Sequence, residues 1–413
     1  MAETLVHTEL NVAEVRKQFP VLHQHVNGKP LVYLDNAATS QKPVRVIQAL
    51  TAYYEGFNAN IHRGIHSLAE KATKAFEETR DTLRDFIHAA QSEEIIFTRG
   101  VTESVNLVAH SYGKAFVQRG DEIIISGLEH HSNIVPWQLM CAERGAQLKV
   151  IPVREDGTLD MVAYEKLLTP RTRLVAVNHA SNSLGTVNPV AQIISLAHQA
   201  GAHVLLDGAQ SGPHLDIDVQ GLDCDFYCLS AHKMYGPTGT GILYGKRALL
   251  EQMPPYMGGG EMIKNVSFTN TTYNDLPYKF EAGTPNIADV VAFKEAVHFI
   301  TDLGKAAIRA HEAQLLSYTQ ERLTAIPKIK LIGVAPEKVS VQSFVIDGMH
   351  PFDVGQLLDA RGIAVRTGHH CTQPLMDAFG LEGTVRASFA AYNTLEEVDK
   401  LAEGIERAVA LIR

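Results

Sequence analysis

The sequence predicts an α/β fold in which a large domain built on a mostly parallel sheet is joined to a smaller α+β domain. Three observations predict it. At 413 residues, 45% of them hydrophobic and 20% charged, the chain is long enough for two or three ordinary domains and at least one large core. Short apolar runs at 94–97, 122–126, 147–152, 173–178, 203–207 and 225–229 alternate with amphipathic stretches, the rhythm of β-α units. Beyond about residue 295 the rhythm changes to a long helix, strands around 339–346, a helix from Pro351 and a closing helix over 394–412. The implied division is 23–295 for the large domain, with 1–22 and 296–413 forming the small one. Between the two patterns, residues 254–285 are rich in Gly, Asn, Thr and Tyr and predict turns and a hairpin.

Charge and cysteine content narrow the function. With 37 basic and 46 acidic residues the net charge is -9, which argues against nucleic acid or an anionic membrane as the main partner. No apolar stretch reaches membrane-spanning length, and Met1-Ala2-Glu3-Thr4-Leu5 lacks the basic start of a signal peptide, so a cytoplasmic protein is expected. Four cysteines, at 141, 224, 228 and 371, form neither a disulfide framework nor a metal-ligand pattern, and no metal is expected. Cys141, Cys224 and Cys228 lie in apolar surroundings and read as small core residues, the last two four positions apart and so possible neighbours on one face of a strand.

Ligands of parallel sheets collect at the carboxyl ends of the strands, where the chemically interesting residues of this chain follow the apolar runs. Asp207 closes the run 203–207, and Lys233 follows the run 225–229 in Ser230-Ala231-His232-Lys233. A lysine and a carboxylate so placed suit pyridoxal phosphate, which needs an amine to condense with its aldehyde and an anion to keep its ring nitrogen protonated. Thr102, in Gly100-Val101-Thr102-Glu103-Ser104, opens an amphipathic helix and is either a plain N-cap or a phosphate ligand. Ser230 and His232 flank the lysine as two further phosphate donors. His130, after the run 122–126, can stack on a ring or serve as a cap. Asn182 and Gln210 are neutral donors for a phenolic oxygen, or turn formers. Cys371 follows Arg366, His369 and His370 on a Gly-containing loop, where cationic or proton-accepting neighbours favour the nucleophilic thiolate, and Gly-His-His is poor company for a core.

Six segments in order, Tyr33-Leu34-Asp35-Asn36-Ala37-Ala38-Thr39, Asn60-Ile61-His62-Arg63-Gly64, Asp207-Gly208-Ala209-Gln210, Ser230-Ala231-His232-Lys233, Phe280-Glu281-Ala282-Gly283-Thr284-Pro285 and Arg366-Thr367-Gly368-His369-His370-Cys371, resemble the class V, fold-type I pyridoxal phosphate enzymes. Within them the resemblance is to the group II, Suf-type cysteine desulfurases, and it runs nearly end to end. It implies that Lys233 anchors the cofactor, Asp207 pairs with its ring nitrogen and His130 stacks on it. Gln210 and Asn182 would lie at the phenolic oxygen, and Thr102, Ser230 and His232 at the phosphate. Thr284 would reach the phosphate of a neighbouring subunit, which implies a homodimer with shared sites. The implied reaction converts L-cysteine to L-alanine and leaves the sulfur as a persulfide on Cys371, for an acceptor protein that feeds iron-sulfur cluster assembly. Arg386 would clamp the substrate carboxylate beside Asn182, with Arg366 and His62 at the mouth.

Only 15 positions separate Cys371 from Arg386, a short loop that implies an acceptor bringing its own thiol. His350-Pro351-Phe352-Asp353 lacks the second histidine of relatives that serve a zinc-bound acceptor, which favours a SufE-type partner. Residues 258–277 match the family's hairpin beside the partner's site. Thr372 stands where many relatives have alanine, and its hydroxyl is a candidate donor to the thiolate. A selenocysteine lyase acting on L-selenocysteine, a kynureninase-like hydrolase and a non-catalytic scaffold are the alternative readings.

Overall fold

The computed structural model of the protein describes residues 10–411, so the first nine residues of the expected segment 1–22, and Ile412 of the expected closing helix, lie outside the described residues. Seven strands form the main sheet: β1 (Ile95–Thr98), β2 (Glu122–Ser126), β3 (Gln147–Ile151), β4 (Thr172–Asn178), β5 (His203–Asp207), β6 (Phe226–Ser230) and β7 (Gly241–Gly245). Their order is β1-β7-β6-β5-β4-β2-β3. Pairing is parallel from β3 through β6, and β7 runs antiparallel to both β6 and β1. The mostly parallel α/β reading holds, with strand ends shifted by one or two residues; the first run starts at Ile95 because Ser92–Glu94 is a 3-10 turn.

Strands covered on both faces read as continuous apolar runs, and β1, β2, β6 and β7 are buried at every position. Side chains alternate between two cores. Ile124, Val175, Leu206, Tyr227 and Leu229 enter one, and Ile125, Ala176, Leu205, Phe226 and Cys228 enter the other. Each Leu or Ile so buried stabilises the fold by about 1.5–3 kcal/mol. Cys224 packs in the first core and Cys228 in the second, so they do not share a face. The alternation argument fails because β6 begins only at Phe226, after Asp223 has turned the chain with a φ of 58°.

A second sheet of β8 (Ile329–Ile332), β9 (Val341–Ile346), β10 (Arg366–Gly368) and β11 (Thr384–Ser388) is antiparallel throughout in the order β8-β9-β11-β10. Helices Lys305–Thr324, Pro351–Asp359 and Leu395–Val409 share its core through Leu315, Val354 and Leu401, packed with Phe344 and Val385. The closing helix starts at Thr394, whose hydroxyl accepts from the Glu397 amide while the Glu397 carboxylate accepts from the Thr394 amide.

Helix Ile287–Leu303 runs unbroken through residue 295, packing on helices Val44–Gly56 and Ser67–Phe86, so the expected division falls inside one element. The chain leaves that helix at Gly304, with a φ of 80°. Shortly after the expected start of the large domain at residue 23, Val32–Tyr33 pairs with Ile363–Ala364 and Asp35 bridges to Ser388 of β11. The hairpin within 254–285 is Ile263–Val266 with Thr271–Tyr273, and it carries the fully exposed Phe268. Among the described residues no helix is long and apolar enough to cross a membrane, and no group of His, Cys, Asp and Glu is placed to hold a metal.

Candidate active site

A cavity of about 240 Å³ opens over the carboxyl ends of β1, β2, β4, β5 and β6, lined by Lys233, Asp207, His130, Cys371 and Arg386, among others. Register explains the first two. Asp207 ends β5 opposite Cys228 of β6, and the chain continues through Ser230 into the short turn Ala231–Lys233. Asp207 is 4% exposed; one carboxylate oxygen accepts from the Ala209 amide at 2.9 Å, and burial pushes its pKa up against the pull of Lys233. Burial lowers Lys233 to about 8, against the opposing pull of Asp207.

The phosphate cradle is made by close approach. Gly100 caps helix Val101–Phe116 at a φ of 138°, where an added Cβ would meet Ser230 Oγ at 3.1 Å. Ser230 Oγ accepts from the Val101 amide at 2.9 Å, and the exposed Thr102 follows on the same turn and lines the cavity. Burial holds the His232 ring down at about 4, leaving it neutral near pH 7. His130 Nδ1 accepts from the Ser132 amide at 3.1 Å, and burial, reinforced by Lys233, lowers its pKa to about 3. A neutral ring with its proton on Nε2 therefore faces the cavity. Gln210 donates to the Ala37 carbonyl at 2.7 Å and Asn182 to the His370 carbonyl at 2.7 Å, so both amides are anchored at the wall. Amine, buried carboxylate, neutral imidazole, helix N-terminus and hydroxyls form a donor set that fits pyridoxal phosphate.

Cys371 borders the same cavity on a loop in which His370 and Cys371 both have positive φ, 52° and 57°. Non-glycine residues held there store of order 1–3 kcal/mol each. One expectation about this loop is narrowed and one is corrected. His370 is buried, shares a hydrogen bond with Thr384 Oγ1 at 2.7 Å, and burial drives its pKa well below the ordinary value, so of the two expected roles, cation or proton acceptor, it does not fill the cationic one. Thr372 is fully buried and its hydroxyl donates to the His369 carbonyl at 2.8 Å, which removes it as a donor to the thiolate.

Arg386, 1% exposed, donates to the Asn182 carbonyl at 2.8 Å and to Asp35 at 3.0 Å, while its buried Nε has no partner among the described residues. A buried, tethered guanidinium with a free donor suits a ligand carboxylate. Arg366, half exposed, lies 3.5 Å from the same Asp35. Two expected site residues lie elsewhere in this chain. His62 sits 2.9 Å from Glu77 and packs on Tyr278, outside the lining of the cavity, because the 60–64 loop is tied to helix Ser67–Phe86 through Thr73. Thr284 lines a second cavity with Phe97, Tyr256 and Asn286.

Three contributors went unrecognised in the sequence. Asp35 holds both arginines. Lys42, lowered to about 7 by burial, donates at 2.9 Å to the carbonyl of His232, which also accepts from Thr39 Oγ1 and the Ser40 amide. Glu129, fully buried and raised to about 8 by burial, accepts from Asn133 and from the Asn178 amide beneath the His130 turn. Asp35 stands inside a segment that carries the family resemblance and Glu129 directly precedes His130, the one signal that pointed to each.

The lowered Lys233 gives a measurable profile. About 9% of the amine is free base at pH 7, about 50% at pH 8 and about 90% at pH 9. Capture of pyridoxal phosphate by the cofactor-free protein, followed by absorbance, is expected to accelerate roughly fivefold from pH 7 to 8 and to level off by 9. An ordinary lysine would keep accelerating past pH 10.

A model of the family described as aminotransferase class-V matches residues 32–401. The chain is 53% identical over 401 residues to a probable cysteine desulfurase of Mycolicibacterium paratuberculosis, a match that covers 97% of this chain but only 58% of that longer protein. It is 51% identical over 399 residues to a probable cysteine desulfurase of Halalkalibacterium halodurans, covering 96% and 98% of the two chains. Its fold superposes on the crystal structure of the Escherichia coli cysteine desulfurase CsdA, in an S-sulfonic acid form, with a TM-score of 0.91, 39% identity and coverage of 98% and 99%.

Proposed function

The chain belongs to the class-V aminotransferase family, and from that premise we propose that it is a pyridoxal phosphate-dependent cysteine desulfurase that converts L-cysteine to L-alanine and keeps the sulfur as a persulfide on Cys371. The observation that carries the reading is the meeting of Lys233, Asp207, Arg386 and Cys371 around one cavity. A lysine and buried aspartate alone would suit many cofactor enzymes, and the thiol opposite them selects sulfur chemistry.

When bound, pyridoxal phosphate supplies an electron sink that stabilises negative charge at the substrate Cα. Arg386 holds the substrate carboxylate through its free Nε, kept in place by Asp35 and the Asn182 carbonyl. The neutral Lys233 amine takes the Cα proton, which a group titrating near 8 can do at physiological pH. The Cys371 thiolate then attacks the substrate Sγ as the Cβ–S bond breaks, and Cβ is reprotonated. L-cysteine and the enzyme thiol thus become L-alanine and the enzyme persulfide, with every atom accounted for. L-selenocysteine offers the same geometry and a weaker bond, so it is the second candidate substrate.

The proposal extends to the partners. Only six residues, Gln373–Ala378, form helix between Cys371 and β11, which leaves the thiol little reach, so the sulfur would leave through an acceptor protein that brings its own thiol, of the SufE type, toward iron-sulfur cluster assembly. A homodimer is supported by Thr284, which lines a cavity apart from its own Lys233, and by the exposed hairpin around Phe268.

Brief incubation of the cofactor-loaded protein with L-cysteine, followed by intact-mass and peptide mass spectrometry, tests the reading. One added sulfur on Cys371 with matching L-alanine is expected, and prior alkylation of Cys371 should abolish both. Alanine formed without any adduct would instead indicate a lyase that releases sulfide.

A further inference from the structure

The loop that carries Cys371 is held by a group outside the cavity. The backbone N–H of His131 donates to the Cys371 carbonyl at 2.8 Å, and the Gln373 N–H donates to His131 Nε2 at 3.2 Å. One residue therefore grips the chain at the nucleophile and again two residues later. Asn182 secures the preceding residue through the His370 carbonyl, and Thr372 closes the turn onto His369. His131 itself stands on a stiff base: it opens the turn His131–Asn133, where the buried Asn133 is joined to Glu129 and to the indole N–H of the buried Trp137. Its ring does not line the cavity.

The two adjacent histidines are set apart by their bonds. His130 accepts at Nδ1, so its proton lies on Nε2; His131 accepts at Nε2, so its proton lies on Nδ1. Two successive positive φ values at His370 and Cys371 persist only where the surroundings over-determine them. We propose that His131 is a positioning residue, a latch whose Nε2 lone pair on the Gln373 amide holds Cys371 in its left-handed conformation at the cavity edge. The inference rests on Cys371 being the sulfur acceptor, although the latch itself can be measured without turnover.

With the latch removed, the loop samples relaxed conformations and the thiol spends less time facing the substrate position while becoming more open to bulk reagents. The test uses the cofactor-loaded protein and the variants His131→Ala, His131→Phe and His131→Gln. Glutamine carries an amide oxygen near the place of Nε2, whereas phenylalanine fills the ring volume with no acceptor. Iodoacetamide labelling of Cys371 is timed by mass spectrometry, with the buried Cys141, Cys224 and Cys228 as internal controls for folding, and alanine release gives kcat and KM. Expected are labelling several-fold faster and kcat about tenfold lower at unchanged KM in the Ala and Phe variants, the tenfold being what a modest loss of positioned conformer produces, with both restored by Gln. Should Phe label and turn over like the wild type, or Gln be as impaired as Phe, the latch is overturned. If no protein forms alanine, the desulfurase reading fails while the labelling rates still decide the latch.

Discussion

Replacing Lys233 by alanine is expected to lower alanine formation at least about 10³-fold and to loosen cofactor binding at the same time. Two tasks disappear together: the covalent anchor of the cofactor and the base for the Cα proton, each of which alone is worth orders of magnitude. Burial makes the loss hard to replace. Burial lowers the amine to about 8, so a working share of it is neutral near physiological pH, and among the described residues no other lysine lines the cavity. Cofactor content from the visible absorbance and alanine release at saturating pyridoxal phosphate separate the two losses. A small primary amine added to the variant should recover part of the turnover by taking up the proton. Retention of more than a few per cent of the activity with a full complement of cofactor would show that another group is the base.

Arg80→Met is expected to cost about 3–5 kcal/mol of stability, more than any single contact at the site, because it strands a buried carboxylate. Arg80 is 1% exposed. It donates to Glu281 at 2.7 and 3.0 Å, to Glu77 at 2.8 Å and to the Ile95 carbonyl at 2.7 Å, and lies 4.5 Å over the Phe97 ring. Glu281, 7% exposed at its side chain, also accepts from the Phe97 amide at 2.7 Å, so without the guanidinium it retains a backbone donor and no counter-charge. Against the upward push of burial, His62 and Arg80 hold Glu77 down to about 2. A carboxylate lowered in the folded state contributes stability that is present above its unfolded pKa near 4.5 and is lost as pH falls toward 2. Urea unfolding of Arg80→Met, Glu281→Gln and the double variant at pH 7.5 should show a loss in the double variant well below the sum of the two single losses. Because Glu281 begins the segment that reaches Thr284, the variant should also weaken whatever Thr284 supports.

Lys233, Asp207, Thr102 and His130 were legible in the sequence because each follows the end of a strand, and strand ends in a parallel sheet converge. Cys371 and Arg386 were legible through their motifs. What escaped were relations between distant segments. Nothing near Asp35 says that it will meet Arg386, 351 residues away, and nothing near Lys42 announces a bond to the carbonyl 190 residues on. Thr372 was misjudged because a hydroxyl next to a thiol in sequence turns to a backbone carbonyl when the loop folds back. The motif assigns His62 to the cavity, while within one chain its hydrogen bond to Glu77 draws it away. The division near residue 295 follows the change in the pattern of strands and helices, and helix Ile287–Leu303 spans that position.

The tie between Asp35 and Arg386 also bears on how the protein comes into being. A ribosome must pass 351 positions after Asp35 before its guanidinium partner exists, and Cys371 emerges only shortly before that partner. The half of the site formed by Asp207 and Lys233 is translated much earlier, on strands that can already pair. The thiol and the carboxylate clamp therefore join the site only after Asp207 and Lys233 are already part of the chain.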